Sequence, residues 1–222
     1  VNAHTHHYIT TGLEENKFGI NMWEMEAVIA LLKTLKNIKL VGIHFHLGSQ
    51  ITDLSVFKNL CTRVNEIQDW LRSHHVEVEH VNVGCGFAVD YHEPDQKPIP
   101  DFESYFKVFH DFLELRPNQK VHFELGRAII AQCGSLISRV LYIKKGVKTN
   151  FAILDAGMTE LIRPALYQSY HKIENITSAR PPQTDNAFLK EGEGKVVKYD
   201  VVGPICESSD CFGKAVDLPE TH

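Results

Sequence analysis

A thiol and a carboxylate stand side by side at Cys206-Glu207, inside the stretch Gly203-Pro204-Ile205-Cys206-Glu207-Ser208-Ser209-Asp210. Pro204 fixes the backbone ahead of the pair and Gly203 permits a sharp entry. A core thiol rarely neighbours a charge, so the pairing suits chemistry better than packing, although an ordinary surface loop can also carry it. Three further groups of reactive residue types lie upstream, each at the end of a β-branched run. His44 and His46 alternate onto one face of a strand and are followed by Gly48-Ser49, a flexible turn with a hydroxyl. Gly84-Cys85-Gly86 would let backbone N–H groups approach an anion. Glu124-Leu125-Gly126-Arg127 packs a carboxylate, a glycine and a guanidinium into one turn.

The elements that must position these residues alternate in type. A helix over 22–35 precedes a strand over 39–46. A second helix follows, with Thr52 or Asp53 as N-cap and Leu54, Phe57, Cys61, Val64, Ile67 or Gln68, and Leu71 on one face at helical spacing. A strand over 76–83, a Pro-rich polar loop over 90–100, a helix from Phe102 to about Leu115 capped by Asp101, and a strand over 121–124 come next. Strands alternating with helices indicate parallel βα units, and in a parallel barrel active sites collect at the C-terminal strand ends. Beyond about residue 131 the pattern becomes mostly β, with runs at 136–142, 151–154 and 196–202. One short helical insert interrupts it at 164–171, with Pro164 in its first turn. Residues 177–194 read as a mobile loop. A domain boundary is therefore expected near 130–135.

At 222 residues the chain can hold one large domain or two small ones, and its net charge of −5 with dispersed Lys and Arg argues against nucleic-acid binding. No apolar run reaches the roughly 20 residues needed to span a bilayer. The polar start, Val1-Asn2-Ala3-His4 without Met, is read as an internal boundary, so a fragment is expected. Five scattered cysteines do not suggest a disulfide framework and favour a reducing cytoplasm. The chemistry keeps bland alternatives open. Gly-x-Gly can be only a tight turn, and Glu124 can simply pair with Arg127. His-x-His can bind a metal, though the other strand ends then offer Gly, Glu and Arg where further ligands are wanted. Anion-cradling turns on adjacent strands, together with a carboxylate, suit a phosphorylated cofactor with a basic ring nitrogen: pyridoxal 5'-phosphate.

The ordered set resembles the alanine-racemase-like, fold-type III pyridoxal-phosphate decarboxylases, the diaminopimelate decarboxylases most closely. It comprises Gly42-Ile43-His44-Phe45-His46-Leu47-Gly48-Ser49-Gln50, Gly84-Cys85-Gly86-Phe87, Glu124-Leu125-Gly126-Arg127, Asp155-Ala156-Gly157-Met158, Ile162-Arg163-Pro164-Ala165-Leu166-Tyr167 and Gly203 to Asp210. The resemblance implies an α/β fold, a partial (β/α)8 TIM barrel followed by part of a C-terminal β domain. Residues 1–132 would be the C-terminal portion of the cofactor-binding barrel, and 133–222 would carry the substrate-binding and proton-donor loops. It also implies a homodimer with active sites shared across the interface, a small amino-acid substrate (meso-diaminopimelate, decarboxylated to L-lysine) and no metal, nucleic acid or membrane. By the same resemblance His46 would stack on the pyridine ring, and Ser49, Gly84, Gly86, Gly126 and Arg127 would hold the phosphate, with Leu125 in the same turn. Glu124 would pair with the ring nitrogen. Arg163 and Tyr167 would hold the substrate's distal carboxylate and Glu207 its distal ammonium, with Arg127 also in reach. Cys206 would supply the proton that replaces CO2, to the neighbouring subunit's site. Asp155 is read as structural.

Three departures from the family pattern stand out. Cys85 replaces a third glycine and Leu125 replaces a proline; both should tune affinity and leave the chemistry intact. The lysine that attaches the cofactor lies, in the family, on an early strand that this chain does not contain, and Lys17 does not match it. The C-terminal segment with a further cofactor-binding Tyr is likewise expected to be missing. The isolated chain should therefore expose cut sheet edges, bind cofactor weakly and catalyse poorly. Competing readings are an ornithine or arginine decarboxylase of the same fold, a non-catalytic decarboxylase-like binding protein, and a metal-dependent barrel hydrolase built on His44 and His46.

Overall fold

The computed structural model describes residues 17–176 and 195–221; the loop expected over 177–194 lies outside them. The chain forms two compact units. Among the described residues, one comprises 17–90 together with Asp95–Gly134, the other Tyr91–Pro94 together with 135–176 and 195–221.

In the first unit three short parallel strands lie in sequence order: β1 (Gly42–His44), β2 (His80–Asn82) and β3 (Lys120–His122). The β-branched runs that announce them are longer than the strands, whose regular pairing lasts only three residues each. Ile43, Val81 and Val121 point to one face, as do Phe45, Val83 and Phe123 beyond the strands, and all six join the apolar core. That face is covered by α1 (Met25–Leu32), α2 (Leu54–Ser73) and α3 (Phe102–Phe112). Period-two alternation then sends His44, Asn82 and Glu124 to the opposite face.

The helices follow their expected signals. In α2, Phe57, Cys61, Val64, Ile67, Gln68 and Leu71 are buried at three- and four-residue spacing, and Asp53 caps the start by accepting from Ser55 N at 2.8 Å. Asp101 does the same for α3, accepting from Ser104 N at 3.0 Å. That helix stops at Phe112, short of Leu115. Asn65 of α2 donates to Phe112 O and accepts from Glu114 N, each at 3.0 Å, so the last turn is satisfied from outside. The first helix splits into a 3-10 turn at Met22–Glu24 and α1, closed by Glu24 Oε2 accepting from Asn21 N.

The second unit is a four-stranded sheet in sequence order: β4 (Val140–Lys145), β5 (Asn150–Leu154), β6 (Val196–Val202) and β7 (Cys211–Pro219). The β4–β5 and β6–β7 pairs are antiparallel and β5–β6 is parallel. Ala152, Tyr199 and Val201 centre its core. Asp155 accepts from Ser138 Oγ at 2.6 Å and from Arg139 N at 2.8 Å, which delays β4 to Val140, four residues later than its apolar run suggests. The nine-residue β7 has no counterpart in the sequence reading. Gly213, a left-handed Ala215 (φ 51°) and a terminal Pro interrupt its alternation, and Asp200 Oδ1 stabilises the irregularity by accepting from Ala215 N at 2.8 Å. Besides the four-residue helix α4 (Arg127–Ile130) of the first unit, a short helix α5 (Arg163–Tyr167) lies in the second and holds Pro164 in its first turn, as expected.

Candidate functional site

Each strand of the first unit ends in a turn that bends its reactive groups together. After β2, Gly84 takes φ 73° and Gly86 φ 129°, values natural only to glycine. A methyl on Gly84 would overlap the Phe45 carbonyl, and one on Gly86 would lie 2.8 Å from Ile51 Cδ1. The turn is thus pressed against the segment leaving β1, with Ile51 N donating to Gly86 O at 2.8 Å. After β3, Glu124 N donates to Gly84 O at 2.8 Å, binding the third strand end to the second. Gly126 differs from both: no heavy atom lies within 4 Å of a methyl built on it.

The side chains at these ends form a connected set. Glu124 Oε1 accepts from Asn82 Nδ2 at 2.9 Å, and its Oε2 lies 3.3 Å from His44 Nε2. Asn82 Oδ1 in turn accepts from Gly84 N at 2.8 Å. One carboxylate is therefore oriented by side chains of both other strands, and the same amide fixes the glycine turn. Arg127 Nε donates to Ser49 Oγ at 3.0 Å, so the guanidinium expected beside Glu124 is anchored to the hydroxyl after β1. His46 Nδ1 is 3.5 Å from Cys85 Sγ, which also lies 4.0 Å from Gly48 O. Burial first, and the charge of Glu124 second, push the Cys85 thiol above its ordinary pKa, so it remains protonated and unreactive near neutrality. Leu125 turns into the apolar core.

In the second unit, Arg163 and Tyr167 share one turn of α5, and both are half-buried. Arg163 Nη1 lies 3.1 Å from His171 Nε2, and its guanidinium sits 4.8 Å over the Tyr91 ring. Cys206 and Glu207 project from the exposed loop between β6 and β7. Sequence reasoning missed Asn82, Tyr91 and His171, and assigned no part to Asp210. For Asn82 a signal existed: it lies two residues before Gly84 and on the strand face that carries His44 and Glu124.

Among the described residues no group of three or more His, Cys, Asp and Glu side chains could hold a metal ion, and no helix is long and apolar enough to cross a membrane. The strand ends bring together an oriented carboxylate, an Arg–Ser pair and two constrained glycines beside an open one, groups that could hold an anion. Residues 1–131 match the family model for the pyridoxal-binding domain of pyridoxal-dependent decarboxylases. The chain belongs to that family. It is 59% identical to a diaminopimelate decarboxylase of Bacteroides thetaiotaomicron, over 98% of this chain and 53% of the relative. It is 40% identical to one of Haemophilus influenzae, over 98% of this chain and 49% of the relative. The crystal structure of diaminopimelate decarboxylase from Helicobacter pylori complexed with L-lysine superposes with a TM-score of 0.84 at 35% identity, covering all of this chain and 51% of that one. The chain thus spans about half the length of the curated relatives it matches, and its fold is the corresponding part of theirs: barrel βα units followed by β-domain strands.

Proposed function

We propose that the protein carrying this chain decarboxylates meso-2,6-diaminopimelate to L-lysine and CO2 with pyridoxal 5'-phosphate. The observation that carries the reading is the Glu124 carboxylate, oriented by His44 and Asn82 beside the Gly84–Gly86 turn. The identity to relatives named for this reaction supports it, as does the likeness to a structure holding L-lysine. Residues 1–132 are assigned to the cofactor-binding barrel and 133–222 to the β domain with the substrate and proton-donor loops.

The residues present fit the cofactor. Gly84, Gly86, Gly126, Ser49 and Arg127 would hold its phosphate, the open space at Gly126 admitting an oxygen where a side chain would intrude. His46 would lie against the ring face. Bound pyridoxal phosphate supplies the electron sink for the charge left on the α-carbon when CO2 departs. Glu124 would keep a proton on the ring nitrogen, which is what an oriented, acceptor-only carboxylate does beside a pyridine. Arg163 and Tyr167 are assigned to the distal carboxylate and Glu207 to the distal ammonium, and Arg127 is assigned a further contact with the substrate. Cys206 is assigned to protonate the α-carbon once CO2 has left. In a homodimer Cys206 and Glu207 would serve the second copy's cofactor, and the cytoplasm is the compartment that keeps such a thiol reduced.

The test is CO2 release by the full-length protein from meso-diaminopimelate and from ornithine, for wild type and Arg163→Gln. The reading expects release from diaminopimelate alone, with KM raised by the substitution as expected for a lost charge-assisted contact. Release from ornithine in preference would overturn the substrate, and an unchanged KM would remove Arg163 from the carboxylate site.

A further inference from the structure

Asp210 is the last residue of the loop that carries Cys206 and Glu207, and only 3% of its surface is exposed. Both carboxylate oxygens are used. Oδ1 accepts from Met158 N at 2.6 Å and Oδ2 from Ile205 N at 2.8 Å. Its main chain closes the loop as well: Gly203 N donates to Asp210 O, and Asp210 N donates to Glu207 O, both at 3.0 Å. Two glycines make room for the carboxylate. A methyl on Gly157 would lie 3.1 and 3.2 Å from its oxygens, and one on Gly203 would overlap them.

A buried carboxylate is costly unless hydrogen-bonded, and here two backbone amides offset that cost. One of those amides, Ile205 N, immediately precedes Cys206. The other belongs to the turn after β5, the parallel neighbour of β6, so the carboxylate ties the start of the Cys206–Glu207 segment to a turn 52 residues from Asp210 in sequence. The exposed pair in the middle has fixed points on both sides, and the contacts of Glu207 stay within the loop: its N donates to Ile205 O at 2.8 Å and its Oε1 accepts from Ser209 N at 3.4 Å.

The geometry points to Asp210 as a positioning residue for the reaction, one that sets where Cys206 and Glu207 stand by clasping their loop to the 156–158 turn. The inference rests on the assignment of Cys206 as proton donor. Asp210→Asn keeps the shape, but one N–H donor now faces an amide group where an acceptor stood. Misplacing a reacting group by about 1 Å can cost on the order of a hundredfold in rate.

The test compares full-length wild type, Asp210→Asn, the milder Gly157→Ala and Cys206→Ala. It reads cofactor affinity, kcat and KM, and hydrogen exchange at the Met158 and Ile205 amides. The expected result for Asp210→Asn is unchanged cofactor affinity, faster exchange at both amides and kcat lower by about a hundredfold. Gly157→Ala, whose methyl would press on both Ile205 Cδ1 at 3.0 Å and the carboxylate at 3.1 Å, should lower kcat several-fold with the fold intact, and it decides the matter should Asp210→Asn fail to fold. Faster exchange with wild-type kcat in either variant would overturn the positioning role. Wild-type turnover by Cys206→Ala would instead sink the assignment on which the inference rests.

Discussion

Adding one methyl at Gly84 and one at Gly126 should separate what the fold needs from what a ligand needs. At Gly84 the backbone is left-handed, at φ 73°, and the new methyl would meet the Phe45 carbonyl, which cannot rotate away. The left-handed conformation costs a Cβ-bearing residue about 1–2 kcal/mol, and forcing extra volume into a packed site costs a further ~1–3 kcal/mol. The stiffer unfolded chain returns only about 0.4–1 kcal/mol. Gly84→Ala should therefore destabilise the full-length protein by about 2–4 kcal/mol, read as a lower urea midpoint at constant m. Gly126 has φ −86° and open space before it, so its alanine variant should unfold within about 0.5 kcal/mol of wild type. If that space is where the phosphate lies, the same variant should bind pyridoxal phosphate about tenfold or more weakly, the equivalent of ~1.4 kcal/mol or more. The assays are urea unfolding followed by circular dichroism and cofactor titration followed by absorbance. A Gly84→Ala protein as stable as wild type would refute the backbone argument, and a Gly126→Ala protein with wild-type affinity would refute the phosphate assignment.

Asn82→Ala leaves the buried Gly84 amide and one Glu124 oxygen without their shared partner; a stability loss of roughly 1–2 kcal/mol and weaker cofactor binding are expected, and an unchanged titration would show that Glu124 does not need this tether. Asp155 has its pKa held below the ordinary 3.8 by the Ser138 hydroxyl and then the Arg139 amide. Its contribution is therefore present above the unfolded value and disappears as pH falls through the lower folded value. Thermal melts should find Asp155→Asn less stable than wild type at pH 7 and the gap shrinking as the solution is acidified below the ordinary carboxylate range; a gap independent of pH would contradict this. Cys61 is fully buried, and that burial raises its pKa to about 11. Peptide mapping after brief iodoacetamide exposure should find Cys133 and Cys206 labelled and Cys61 labelled only in urea, whereas early labelling of Cys61 would mean that α2 opens readily.

The helices were legible because their signals are local. The spacing of Phe57, Cys61, Val64 and Leu71, and an Asp placed to accept the first free amide, are properties of neighbouring residues. Strand lengths were less so, since three residues of pairing in each of β1, β2 and β3 depend on where the adjacent chain turns away. The β7 strand escaped altogether: its interrupted alternation reads as irregular until β6 lies beside it.

The chain order of residue types determines by itself that carboxylate, guanidinium, thiol and glycine groups fall at the ends of alternating elements, and that these groups match one decarboxylase family. What only the tertiary structure decided is which polar atoms meet. Glu124 takes its amide donor from Asn82, 42 residues away, and Asp210 takes one of its two from Met158, 52 residues away. A hydrogen bond is short and directional, so its partners depend on register and turns that bring distant backbone together, and neighbouring residue types carry no record of that.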